Sequence, residues 1–323
     1  MGPEASVDPP GGWAVEGSMR KLLLLALLSF SAFAQYNASA GESAPTLAVE
    51  KVSRGADGVE HREIVRVPVK KDGFGNAAGS QHDLAVDGAF DGQTVVVMHL
   101  YTGGGFDFEL PKKALAEKGF ATYRWIDRAP SPAELEKALS KANQLWIISG
   151  EHPQLTQEHV KVIKKFFDAG HGLYLWGDNA PYAQDADLVA RALFDVELKS
   201  DPYDPGEQIV GRQLKPGATG LLADHLLTTG IEQLYEGHSI AFMPKPGVLK
   251  PLIVGTEKHV VAAYFDQDGK RAIVDGGFTR LYINWDTAGT GRYVKNSAAW
   301  LANYERFGKS IVSAAVKDQK PTR

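Results

Sequence analysis

LWIISGEHPQLTQEHVKVIKKFFDAGHGLYLWG, residues 145–177, decides the fold. It carries two unbroken apolar runs, LWIIS (145–149) and GLYLWG (172–177), on either side of a segment that places Val160, Ile163 and Phe167 on one helical face. Apolar runs without alternation belong to strands covered on both faces. Thr156 stands where a helix starts and Gly170 where it stops. Strand, helix, strand at this spacing is a right-handed crossover between parallel strands.

The same texture extends upstream. TVVVMHL (94–100) and YRWI (123–126) read as two more buried strands, and Ser131-Pro132-Ala133-Glu134 is a capping box with proline at the first helical position. The helix it opens puts Leu135, Ala138, Leu139 and Ala142 on one face. Four strands alternating with helices predict a three-layer α/β sandwich with a mainly parallel sheet. Downstream, SIAFM, LIVG, VVAAYF and AIVDGGF add further strands, the last two joined at Asp266-Gln267-Asp268-Gly269 as a hairpin, and YVKNSAAWLANYERF closes the domain as a helix.

The 323 residues carry a net charge of −4, 44% hydrophobic residues and no cysteine. That is enough apolar content for a sizeable core, and the scattered basic residues, such as Lys161, Lys164 and Lys165, form no stripe for a nucleic-acid partner. Without cysteine there is no lipoprotein anchor, disulfide framework or thiol nucleophile. Met19-Arg20-Lys21 followed by LLLLALLSFSAFA reads as a secretory signal peptide (19–34) with cleavage after Ala32-Phe33-Ala34, so the mature chain is expected to start near Gln35, periplasmic or secreted, with no stable membrane anchor. Residues 1–18 are then a mis-assigned start, with Met19 the true one, or a genuine extension. Asn37-Ala38-Ser39 matches a glycosylation sequon. Residues 35–92 are expected to form a poorly structured or edge-strand lead-in, with HREIVRVPVK as the strand ending at Pro68. The domain is expected over 93–308, and 309–323 as a tail.

At the carboxyl ends of the predicted strands five polar loops converge: YTGGGFDFE, SGEHPQ, GDNAPY, YEGHS and GGFTRLYINWD. Tyr101 and the glycines 103–105 lack both the GxGxxG spacing and a Walker lysine; Gly103 and Gly104 instead let backbone approach a ligand or a neighbouring loop. Glu151, His152, Asp178 and His238 offer acid and base groups, with Asp178, His152 and His238 the catalytic candidates. No HxH or HExxH spacing supports a metal, and no cofactor is assigned. DPYDPGE (201–207) gathers carboxylates as calcium loops do, yet its prolines suit an exposed turn equally. Arg280, Asn284 and Trp285 lie in the densest polar-aromatic segment, suited to a planar or sugar-like ligand; the competing reading packs Tyr282 and Trp285 against the last helix and pairs Arg280 with a carboxylate, Asp275 or Asp286.

Ser149-Gly150, LTQEHVKVIKKFFDAGHG, the elbow Gly177-Asp178-Asn179 and the terminal Asn296-Ser297-Ala298-Ala299-Trp300-Leu301 resemble, in order and texture, a class I glutamine amidotransferase-like domain. This is the flavodoxin-like variety that includes ThuA-like proteins. The resemblance implies a cysteine nucleophile in the elbow, and Asn179 stands at that position. An amide is not nucleophilic, so the amidotransferase reaction does not carry over. Asp178 and Asn179 are expected to cap the next helix or to bond a ligand. The expected function is non-catalytic binding of a small-molecule, glycan or envelope ligand, with Tyr101, Gly103, Gly104, Glu151, His152, Asp178, Asn179, Arg280, Asn284 and Trp285 at the site. An envelope protein partner fits the same reading. The alternative is a secreted hydrolase using Asp178 with His152 or His238.

Overall fold

A computed structural model describes residues 46–56, 58–200, 208–223 and 225–307. The leader, the sequon, the 201–207 loop and the tail lie outside the described residues. Strands β3 (Thr94–His99), β4 (Ala121–Ile126), β5 (Gln144–Ile148) and β6 (Gly172–Trp176) are parallel neighbours, as their unbroken apolar runs require. They belong to an eight-stranded sheet that also contains β9 (Gly220–Leu221), β12 (Lys250–Val254), β13 (Val260–Gln267) and β14 (Lys270–Asp275). Its order is β4-β3-β5-β6-β14-β13-β12-β9; β14 runs parallel to β6, and β13 and β12 return antiparallel. Counting the parallel strands alone gives 2-1-3-4-5, the flavodoxin-like order.

Short antiparallel pairs flank the sheet: β7 (Lys199–Ser200) with β11 (Ala241–Phe242), and β8 (Ile209–Gly211) with β10 (Gln233–Tyr235). The α-helices among the described residues are α1 (Glu109–Glu117), α2 (Pro132–Leu139), α3 (Gln157–Asp168), α4 (Gln184–Phe194), α5 (Thr290–Leu301) and α6 (Tyr304–Phe307), with short 3-10 turns at Ser80–His82, Gly103–Gly105, Leu226–Thr228 and Phe278–Leu281. Two apolar clusters lie on the two faces of the sheet. One is centred on Trp146, Tyr174, Trp176 and Trp300, the other on Ile147, Ile163, Leu175 and Phe167. The capping box forms as expected, with Glu134 accepting the Ser131 N–H at 2.8 Å. The β13–β14 hairpin turns at Asp268-Gly269, both at positive φ (53° and 66°), the two-residue turn whose twist matches the strands.

The lead-in departs from expectation. HREIVRVPVK does supply a strand, β2 (Glu60–Pro68), but it pairs with β1 (Thr46–Arg54) in a separate ribbon rather than at the edge of the main sheet. Residues 76–93 are not loose. Asn76, Ala77, Asp83 and Phe90 are buried, so the domain begins before residue 93. Long-range bonds hold this segment: Asn76 Oδ1 accepts Glu232 N–H at 2.7 Å and Gln233 N–H at 2.8 Å, and Asn296 Oδ1 accepts Leu84 N–H at 2.8 Å. Asp83 is the hub of an ion-pair network with Lys118 and Lys295 at 2.9 Å and Arg292 at 2.7 Å. Asp83, Asp87 and Glu117 come close enough to hold a cation, but lysines already occupy the space between them: Lys118 lies 2.6 Å from Asp87, and Lys295 lies 3.0 Å from Glu117.

Asn296 is the bolt that fastens the lead-in to α5, because its amide also donates to Leu227 O and Thr229 O. Asn296→Ala is expected to cost roughly 3 kcal/mol, from the buried backbone groups it strands. Urea unfolding measures this, and a loss well under 1 kcal/mol would contradict the packed lead-in.

Candidate functional site

The carboxyl edge is built on one buried carboxylate. Asp275 ends β14 and receives Arg280 Nη1 at 2.6 Å, the Tyr293 hydroxyl at 2.9 Å, Gly277 N–H at 3.0 Å and the Tyr174 hydroxyl at 3.3 Å. Both members of the ion pair are fully buried. Burial raises the Asp275 carboxyl and the Arg280 charge pulls it back down; for Arg280 burial opposes the charge, and Asp275 holds it protonated. Arg280 also donates to Glu236 O, which draws the loop before β11 onto the turn Phe278–Leu281. Gly276 is required here, since a Cβ would lie 1.9 Å from Ala241 O.

Asp178 is the second strap. Its Oδ1 accepts Asn179 N–H and Ser239 Oγ–H, both at 2.8 Å, and its Oδ2 accepts Thr279 N–H at 3.0 Å. It therefore ties the elbow after β6 to the loops before β11 and after β14. It has no exposed surface, and burial pushes its carboxyl up to about 7 against the three donors.

Over these straps lies an aromatic floor. Tyr101 contacts Phe278 at 4.9 Å and Tyr182 at 5.1 Å between centroids, and Tyr282 stacks on Phe106 at 4.6 Å. The Tyr282 hydroxyl donates toward that of Tyr101 at 3.4 Å. Burial, aided by this bond, raises Tyr282 far above the ordinary phenol range, so it stays a neutral donor. Gly103, Gly104 and Gly105 are exposed beside the rings. Gly104 sits at φ 62°, and a Cβ on Gly103 would lie 2.6 Å from the Tyr101 hydroxyl. Glu151 is exposed, and its charge acts on the Tyr182 phenol.

These contacts bring the five loops together, but they divide the expected site residues. Tyr101, Gly103, Gly104 and Glu151 sit on or beside the floor, with half-buried Asn179 following Asp178. Arg280 does not face a ligand: it is fully buried, Nη1 goes to Asp275 and Nη2 to Glu236 O, and Nε is left without a hydrogen-bond partner among the described residues. Neither Asp178 nor Asn179 caps α4, whose N-cap residue, Ala183, offers no side-chain bond. Ser149 Oγ accepts Ala186 N–H there at 2.8 Å. Trp285 lies over the start of α5, where a Cβ on Gly291 would be 3.3 Å from its ring, and Asn284 takes a left-handed conformation at φ 50°. His152 and His238 are exposed, and the bond shown for His238 runs from its backbone N–H to Thr279 Oγ1. Tyr182, Phe278 and Tyr282 were not among the expected residues, although each lies in one of the loops whose convergence the sequence predicts.

No protein-family model matches the chain, and no curated protein matches it. It resembles solved ThuA-like proteins. One from Bacteroides uniformis aligns at TM-score 0.43 and 10% identity over 65% of this chain and 91% of its own. Another, from Parabacteroides merdae, gives 0.43 and 10% over 66% and 90%. The exo-β-1,4-mannosidase Op5Man5 from Opitutaceae bacterium strain TAV5 gives 0.37 and 13%, over 65% of this chain and 36% of its own.

The raised Asp178 carboxyl has a signed consequence. Its folded pKa lies above the ordinary 3.8, so the stability of the neutral form is fully present below that value and is lost as pH rises through about 7. At about 1.4 kcal/mol per unit the loss is on the order of 4 kcal/mol. In Asp178→Asn, which stays neutral but leaves the Thr279 N–H poorly paired, the fall in melting temperature from about pH 5 to about pH 8 should flatten. Parallel slopes in the two proteins would show that Asp178 does not titrate in this range.

Proposed function

We propose that the chain is an exported binding domain whose aromatic floor at the carboxyl edge of the sheet receives a small-molecule or glycan ligand of the cell envelope, without catalysing a reaction on it. The observation that carries this reading is the cluster of the half-buried phenols Tyr101, Tyr182 and Tyr282, packed on the buried Phe278 ring, beside the exposed glycines 103–105. Rings give a sugar or planar ligand a flat apolar face, hydroxyls at their rims give it hydrogen bonds, and glycines let it approach backbone. Glu151 adds an acceptor suited to ligand hydroxyls. The export half rests on the leader of residues 19–34.

A hydrolase built on Asp178 has one observation in its favour, a carboxyl raised to about 7, near the working range of a general acid or base. Two others weigh against it. Asp178 is fully buried, and both its oxygens accept bonds from the protein itself, so it is fitted for strapping loops rather than for touching a substrate.

Calorimetry with a panel of envelope-type oligosaccharides tests the binding reading. A binder should emerge whose affinity falls about tenfold or more in Tyr282→Ala and Tyr101→Ala, the usual weight of a buried aromatic anchor. Affinity unchanged in both variants would contradict it. Turnover of ester, amide, phosphate or glycoside substrates that Asp178→Asn abolishes would establish the hydrolase instead. N-terminal sequencing of the exported product should begin near Gln35, and uncleaved chain in the cytoplasm would refute export.

A further inference from the structure

Strand β4 is one margin of the sheet, and among the described residues nothing pairs with its outer side. Exposed edges are normally blunted by charge, proline or a bulge. β4 has none of these on offer: it runs in unbroken register with β3 over Thr94–His99 and contains no proline. Its single charge, Arg124, is spent within the protein, over the Phe108 ring and on Asp107 O. What the edge presents instead is apolar. Tyr123 is 51% and Ile126 50% exposed, and Tyr123 meets Trp125 edge-on at 4.9 Å.

Two hollows of about 470 and 780 Å³ lie along this edge and share Trp125 and Glu134. Lys137 and Lys141 rim the first and Arg128 the second. Lys137 and Lys141 are exposed and form no ion pair among the described residues. Glu134, the one carboxylate lining the hollows, is committed to the Ser131 cap. The rim is therefore net cationic: the charge of Arg128 acts on Glu134, and Lys137 and Lys141 are left without an opposing carboxylate.

We propose that β4 is a docking edge that takes an extended acidic peptide segment of a partner protein as an added strand. Main-chain bonds to the open edge would supply register, Trp125 and Tyr123 would take alternate apolar side chains, and Lys137, Lys141 and Arg128 would meet the acidic ones. The same charges disfavour pairing of β4 with a second copy of itself, since like cations would then face one another across the joint.

A short fluorescein-labelled peptide of alternating glutamate and valine is the probe, read by fluorescence anisotropy. Saturable binding is expected, weakened about tenfold or more in the Lys137→Glu/Lys141→Glu double variant and in Trp125→Ala, with far-UV spectra showing that both variants fold. N-methylation of alternate peptide backbone nitrogens should abolish it. The proposal is overturned if the acidic peptide does not bind, if a lysine-valine peptide binds as well, or if the N-methylated peptide binds equally. Equal competition by heparin would point to a polyanion site, and self-association lost in the double variant to a homotypic interface; either would overturn it too.

Discussion

Everything at the carboxyl edge hangs on the contact between Asp275 and Arg280. A carboxylate and a guanidinium, both out of water, carry a desolvation penalty of several kcal/mol per ion, which a close pair offsets when the remaining donors and acceptors are also satisfied. The fold largely meets that condition with the hydroxyls of Tyr174 on β6 and Tyr293 on α5 and the backbone N–H of Gly277, which complete the Asp275 shell, while the backbone carbonyl of Glu236 takes a second Arg280 donor and Arg280 Nε alone is left unpartnered among the described residues. One pair thus sets the end of β14 relative to β6, α5 and the loop before β11. The cost of breaking it lies chiefly in the charge left behind.

The aromatic floor follows from that arrangement. Phe278 and Tyr282 bracket Arg280 in the chain, so fixing the guanidinium beneath the surface fixes the rings above it against Tyr101 and Tyr182. Asp178 strengthens the same joint from the β6 side, through Ser239 and Thr279. Asp178, a catalytic candidate in a linear reading, ties loops together as Asp275 does, and the phenol rings and the exposed glycine backbone of 103–105 lie above the two carboxyl groups.

The sheet was legible because its signals are local. Unbroken apolar runs at 94–100, 145–149 and 172–177 have few alternatives to doubly covered strands, and Ser131-Pro132 and Asp268-Gly269 set their cap and turn with neighbouring residues. The lead-in was not legible because it has no period. Asn76 and Leu84 reach partners more than 150 residues away, and such contacts leave no trace in spacing. Arg280 could be read only as two alternatives for a related reason: its sequence neighbourhood contains Asp275 and Asp286, and nothing linear says whether it pairs inward, as it does with the first, or reaches outward to a ligand. The loops that meet at the edge could be named from parallel order alone, but which side chains within them face solvent depends on χ angles set by packing.

A double-mutant cycle between Asp275→Asn and Arg280→Met, followed by urea unfolding at neutral pH, tests most directly whether this pair organises the edge. Each single variant should lose about 3 to 5 kcal/mol, because each strands a buried polar partner. The double variant should recover a large part of that loss, with a coupling of about 2 kcal/mol or more. Additive losses, or single variants as stable as the parent, would mean that the edge is held together by something other than Asp275 and Arg280.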